Sequence, residues 1–197
     1  MSKKEIIRFE EEPAQFLEEF IKTIAAESHE NRLSLIDDSP IFEEPLVGFA
    51  DGEDSLFYEY KKIIGSFHLT PREVLEQSLS LTPHRPKPKV EDISVICWVL
   101  PIAKRTRDSN ASMNIWPSLR WAHTRTYGEM FNMSLRHQLV SFLGQKGYFA
   151  VAPYRSAVFK LLERHPEGRL SNWSERHALY AAGMGTFGLS DGFITAW

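Results

Sequence analysis

Apolar residues recur along the chain with two different periods, and the changes of period mark out its elements. From Pro13 onward Phe16, Leu17, Phe20, Ile21 and Ile24 return every three to four residues, with acidic side chains and Lys22 between them. That spacing predicts an amphipathic helix, entered through a proline that suits the first helical turn. "NRLSLIDDSPIFEEP" is acidic and broken by prolines, a loop pattern. "LVGFADGED" predicts a short strand ending in a turn. Asp54 or Ser55 can then cap a helix through "LFYEYKKII" that stops at Gly65. "LTPREVLEQSLSL" carries a capping box, in which Thr70 accepts from the amide of Glu73, Glu73 reaches back to Thr70, and Pro71 fills the first helical position.

The Pro-rich, basic "TPHRPKPKVED" reads as an extended, solvated connector. "DISVICWVLP" is a continuous apolar, β-branched run, as in a central strand covered on both faces. The polar "AKRTRDSNASMN" leaves its end as a loop, where Lys104, Arg105 and Arg107 either meet an anionic ligand or are simply solvated. Tyr127, Met130, Phe131, Leu135, Leu139 and Phe142 form the stripe of a long helix ending near Gly144, and "YFAVAP" reads as the next strand. "SAVFKLLER" has a helical pattern, and Asn172 with Glu175 offers a second capping box at the head of "WSERHALYAA".

Composition narrows the function classes. The 197 residues suffice for one sizeable domain, divided by the connector into an N-terminal helical and strand region (1–89) and a core (90–197). A net charge of −3 argues against a nucleic-acid binder working by bulk phosphate attraction. "MSKKEIIRFEEEPAQF" lacks the apolar core of a secretory signal, and no run approaches bilayer length, so a soluble, cytoplasmic protein is expected. The single cysteine, Cys97, excludes an internal disulfide and a complete four-thiolate iron–sulfur site within the chain; it reads as a small buried hydrophobe. None of the seven histidines has metal-ligand spacing, so no metal site is expected.

The sharpest motif lies in "YAAGMGTFGLSDGFITAW", where Gly183, Gly185 and Gly188 spell G-x-G-x-x-G. A dinucleotide cradle would place these glycines after a strand and open a helix with them. Here they end a helix and lead to "GFIT", which reads as a strand. Two readings survive: a loop that brings bare backbone against a flat ligand, or a helix stop followed by tight turns.

The ordered segments "DISVICWVLPIA", "LRWAHTRTYGEMFN", "YFAVAP" and "SERHALYAAGMGTFGLSDGFIT" resemble the cobalamin-binding domain of the epoxyqueuosine reductase family and its relatives among corrinoid-dependent reductive dehalogenases, over roughly residues 90 to 195. The resemblance implies a nitroreductase-like α/β (α+β) sandwich, whose mixed, largely antiparallel sheet has helices on both faces. It implies cobalamin lined by Gly183, Gly185, Thr186, Phe187 and Gly188, with Arg120 and Tyr127 from an Arg-aromatic-Ala helix entry that Trp121 and Ala122 complete. Trp116 and Trp121 would suit a large planar cofactor, and His123 and His177 would lie near the pocket. Family members reduce substrates with low-valent cobalt fed by two iron–sulfur clusters that follow this domain. With one cysteine, the expectation here is an external iron–sulfur donor or second subunit; Trp197, at the end of the sequence, suggests a continuation or a partner. No nucleic acid is expected as a partner, unless tRNA is the substrate. The family's acidic proton donor precedes the last helix, where "HPEGRLSNWSER" offers Arg169 and Glu167 instead, so the catalytic residues stay unassigned. The alternatives are a non-catalytic corrinoid-binding or partner-dependent subunit, or a flavin-binding protein of the same nitroreductase-like fold.

Overall fold

The computed structural model describes residues 9–82, 89–154, 156–165 and 168–195, without the side chains of 163–165. Most of the Pro-rich connector, Glu167 and Trp197 lie outside the described residues. In order, the elements are α1 (Pro13–Glu27), a 3-10 turn (His29–Asn31), β1 (Leu46–Asp51), α2 (Ser55–Ile63), α3 (Pro71–Ser80), β2 (Ser94–Val99), α4 (Lys104–Ala111), α5 (Leu119–Gln145), β3 (Leu161–His165), β4 (Gly168–Ser171), α6 (Glu175–Ala181), β5 (Gly185–Phe187) and β6 (Phe193–Thr195). Among the described residues the strands pair as three two-stranded sheets, β1 with β2, β3 with β4 and β5 with β6, so the architecture is broadly α+β.

Local chemistry fixes the helix starts. Asp54 accepts from the amide of Leu56, and at Thr70 both halves of the capping box are formed. α6 differs from its expected start: Ser174, not Asn172, is the cap, accepting from the amide of His177. Asn172 instead binds Lys160 N and Val158 O through its side chain. Three further expectations are corrected. "KRTRDSNA" is helix rather than loop, and its first amide, Lys104 N, donates to the Glu43 carboxylate at 2.7 Å. "YFAVAP" forms no strand. Leu161 and Leu162, expected in a helix, pair with Ser171 and Leu170 in β3 and β4.

The chain divides into two units, 1–47 with 98–139 and 48–97 with 140–197, and the boundaries fall within β1, β2 and α5. In the first unit Leu17, Ile21 and Ala25 of α1 are buried, as are Leu33, Ile41, Phe131, Leu135 and Leu139. Phe42 packs on Phe131 with ring centroids 6.1 Å apart, and a Cβ at Gly128 would come within 2.6 Å of the Phe42 ring. A glycine in mid-helix weakens α5 locally, yet it is what lets Phe42 lie against the helix backbone.

The second unit has a core of Phe57, Tyr60, Leu69, Val74, Cys97, Val158, Trp173 and Ala178. Phe57 is fully buried and stacks on Trp173 at 6.5 Å; burial of such a side chain stabilises by about 1.5–3 kcal/mol. Cys97 is the buried hydrophobe expected, its thiol pushed up to about 12 chiefly by burial. Among the described residues no helix is long and apolar enough to cross a membrane.

Candidate functional site

The glycine motif is built on the C-terminus of α6. Gly183 N donates to Tyr180 O at 3.0 Å and Met184 N to Leu179 O at 3.1 Å, with Gly183 at φ 67°. These two bonds are a Schellman stop, which uses a left-handed residue to satisfy the last carbonyls of the helix. The chain then enters β5, which pairs antiparallel with β6 in the register Gly185 with Thr195, Thr186 with Ile194 and Phe187 with Phe193. The motif therefore includes a strand that its sequence did not announce.

Each glycine has a different physical reason. Gly183 supplies the positive φ. A Cβ on Gly185 would lie 2.1 Å from the carbonyl oxygen of Ile194, so the pairing of the two strands itself requires glycine there. Gly188 has neither constraint in full: its φ is not positive, and its Cβ would meet the movable Cδ1 of Ile194 at 3.0 Å and the carbonyl oxygen of Gly192 at an ordinary 3.7 Å. Beside it Thr186, Ile194 and Leu189 are exposed. Cross-strand neighbours on one face of a hairpin point the same way, so Thr186 and Ile194 present an uncharged face, with the small residues Gly183 and Gly188 in the same segment.

Aromatic rings pack against the hairpin through Phe187. His177 of α6 lies 4.7 Å from Phe187, centroid to centroid, and Tyr60 of α2 stands edge-on to His177 at 4.9 Å. The Tyr60 hydroxyl donates to His177 O at 3.0 Å. Ser174 Oγ is 2.8 Å from His177 Nδ1. Behind them His68 is 1% exposed, stacked at 6.1 Å on Trp173 and 6.4 Å from the ring of His177. Neither nitrogen of His68 has a hydrogen-bond partner. Burial, His177 and Lys61 push its pKa down to about 4, against a smaller upward pull from Glu73. Burial and Arg176 lower His177, and Asp191 opposes them. Arg176 also pairs with the Asp191 carboxylate at 2.8 Å in the hairpin turn.

Arg120 and Tyr127 belong to the first unit, whereas Gly183, Gly185, Thr186, Phe187 and Gly188 lie together in the second. Arg120 is buried on α5, 2.7 Å from Asp37 Oδ2, and also donates to Ser39 Oγ. Arg105 reaches the same Asp37 oxygen at 2.5 Å. The hydrogen bond from Arg120, and secondarily that from Ser39, holds the Asp37 pKa down to about 2. Arg120 thus braces the loop of residues 37–39, and its Nε has no partner. Tyr127 is half-buried against His123, with centroids 5.5 Å apart. Lys104 pairs with Asp108, Arg105 with Asp37 and Arg107 with Glu43, so each of the basic residues read as either ligand-facing or solvated has an acidic neighbour. An open cavity of 660 Å³ lies in this unit between α1, residues 39–45 and the start of α4. Trp116 is 76% exposed and Trp121 half-buried. Among the described residues no group of His, Cys, Asp and Glu is arranged to hold a metal ion.

The sequence reading named His177 but missed His68 and Tyr60. Their only signal was unspecific, a histidine and a tyrosine flanking "KKIIGSF". Compared with protein-family profiles, curated proteins and solved structures, the chain matches none.

Proposed function

We propose that the chain is a cytoplasmic, corrinoid-binding reductase domain of the epoxyqueuosine reductase type, which holds cobalamin on the β5–β6 hairpin and takes electrons from an external iron–sulfur donor or subunit. The three small sheets would then belong to a nitroreductase-like sandwich with helices on both faces of a mixed sheet. The observation that carries this reading is Gly188. The fold itself explains Gly183 and Gly185, but it leaves Gly188 without a strict requirement, next to an exposed and uncharged face. A flat ligand needs that combination of bare backbone and small side chains.

On this reading Gly183, Thr186 and Gly188 face the ligand, Phe187 fixes the hairpin against α6, and Gly185 serves indirectly by allowing the strands to pair. The resemblance adds Arg120 and Tyr127, which belong to the first unit, where the Arg120 guanidinium is held by Asp37 and Ser39. Bound cobalamin would supply low-valent cobalt chemistry. The chain's own part is to seat the macrocycle and keep the hairpin rigid through the Schellman stop.

The test is a titration of the full chain with cob(II)alamin, followed by its visible and paramagnetic resonance spectra, with flavin tested alongside. Saturable conversion to a base-off form is expected. Gly188→Val and Thr186→Trp should weaken binding at least ~10-fold, about 1.4 kcal/mol, without unfolding the chain. Unchanged binding in both removes the hairpin as the site, and flavin binding in place of corrinoid replaces the ligand.

A further inference from the structure

Small residues open the cavity of the first unit. In the last turn of α1, Ala25 and Ala26 leave one wall low, and Ala103 does the same ahead of α4. Pro40 and Pro45 carry no amide hydrogen, so the third wall, completed by Phe42, offers mostly apolar surface. These walls are tied to one another. Asn31, 5% exposed, donates to Ala25 O and Phe42 O and accepts from Phe42 N. Ala103 N donates to Ile41 O at 2.9 Å, and Lys104 N to the Glu43 carboxylate at 2.7 Å. The space of 660 Å³ is therefore preformed and falls within the ~300–1,000 Å³ of small-molecule sites. A ligand has little ordering to impose on it.

Charge selects what can enter. Lys22, Arg32, Lys104 and Arg105 line the cavity together with two carboxylates, Glu43 and Glu44. Three of these cations are already matched: Lys22 with Glu18 and Glu44, Lys104 with Asp108, and Arg105 with Asp37. Glu43 in turn holds the first amide of α4 and pairs with Arg107 at 3.5 Å. Arg32 differs. It is half-buried, and among the described residues its guanidinium makes one hydrogen bond, to Asp38 O at 3.0 Å, and no ion pair. A guanidinium presents five N–H donors in a planar fork that fits a carboxylate through two parallel bonds. One anionic group is thus what the lining lacks. A second negative charge would meet Glu43 and Glu44, and like charges at such range repel. We propose that this cavity binds a small monocarboxylic acid with an apolar body, whose carboxylate is taken by Arg32 and whose body lies on the alanine, proline and phenylalanine walls. The site belongs wholly to the first unit and is independent of the ligand held by the hairpin.

The test is calorimetric titration of the full chain with three probes: naphthoate, its neutral amide naphthamide, and the dianion naphthalenedicarboxylate. Amide spectra of the ¹⁵N-labelled chain are recorded alongside. Naphthoate is expected to bind saturably below ~1 mM, moving the amides of Ala25, Ala26, Phe42 and Lys104 ahead of those of the hairpin. Naphthamide and the dicarboxylate should each bind at least ~10-fold more weakly, about 1.4 kcal/mol. Arg32→Gln should bring naphthoate down to the level of naphthamide and leave the affinity for naphthamide itself unchanged, a split that damage to the fold would not produce. Ala26→Trp, at an exposed helix position, fills the space and should weaken the acid and the amide together. The proposal is overturned by no naphthoate binding below that limit, by equal binding of the amide or the dicarboxylate, by unchanged naphthoate affinity in Arg32→Gln, or by amide shifts confined to the second unit. Should Arg32→Gln fail to fold, Ala26→Trp decides, and full naphthoate binding in that variant overturns the proposal instead.

Discussion

A proton added to His68 would meet no acceptor, because neither ring nitrogen has a partner and the ring is closed off from water. The folded state therefore favours the neutral ring, with a pKa of about 4 against an ordinary 6.5. The sign follows from linkage: the unfolded chain binds the proton more readily, so this contribution to stability is whole above pH 6.5 and is lost as pH falls towards 4. The shift corresponds to about 3 kcal/mol. His68→Leu, close in volume and without polar atoms, should flatten the fall in melting temperature across that window while leaving stability near neutrality within about 1 kcal/mol. An undiminished acid slope in the variant would place the effect elsewhere. Asp37 acts in a lower window. Arg120 and Ser39 depress its pKa to about 2, so what it contributes is present above the ordinary 3.8 and disappears as pH falls through 2. Asp37→Asn should lower the melting temperature at neutral pH and remove that most acidic limb of the pH curve.

At the scale of elements the glycine series separates structure from ligand. Gly185→Ala should break the hairpin, because its Cβ would overlap the carbonyl oxygen of Ile194. Gly183→Ala should cost about 1–2 kcal/mol for its left-handed φ. Gly188→Ala should cost less than either, since the Ile194 side chain can turn aside. Urea denaturation of the three variants checks the order, and a large loss at Gly188 would mean that its bareness is structural too. Caps and stripes were legible beforehand because they are local: Pro13, Asp54 and the Thr70–Glu73 box act within one turn. α4 was not, because it lacks an apolar stripe and its first amide is held by Glu43, 61 residues earlier in the chain. β3 was misread for the complementary reason: pairing with β4 overrides a helical spacing. In the candidate site the helix stop at Gly183 could be read directly, but β5 and the rings of Tyr60 and His68 could not. Tyr60 meets His177 across 117 residues of sequence, and no local pattern encodes such a contact.

Each unit of the molecule is sewn from distant segments, and in each a buried asparagine does part of the sewing. Asn31 donates to Ala25 O and Phe42 O and accepts from Phe42 N, joining the end of α1 to the stretch before β1. Asn172 accepts from Lys160 N and donates to Val158 O through its side chain, while its own carbonyl takes the amide of Leu69. An asparagine can do this because its amide offers donors and an acceptor at one point, and burial removes water as a substitute partner. Asn31→Ala and Asn172→Ala should therefore each destabilise by about 1–3 kcal/mol, beyond what loss of a surface polar group would cost. Amide hydrogen exchange distinguishes a local seam from a general loss of stability. Exchange should rise most at Phe42 in Asn31→Ala and at Lys160 in Asn172→Ala, ahead of amides within the helices of the same unit. A uniform rise throughout the unit would instead mean that the asparagine supports the whole core, and that the unit opens only by unfolding as one.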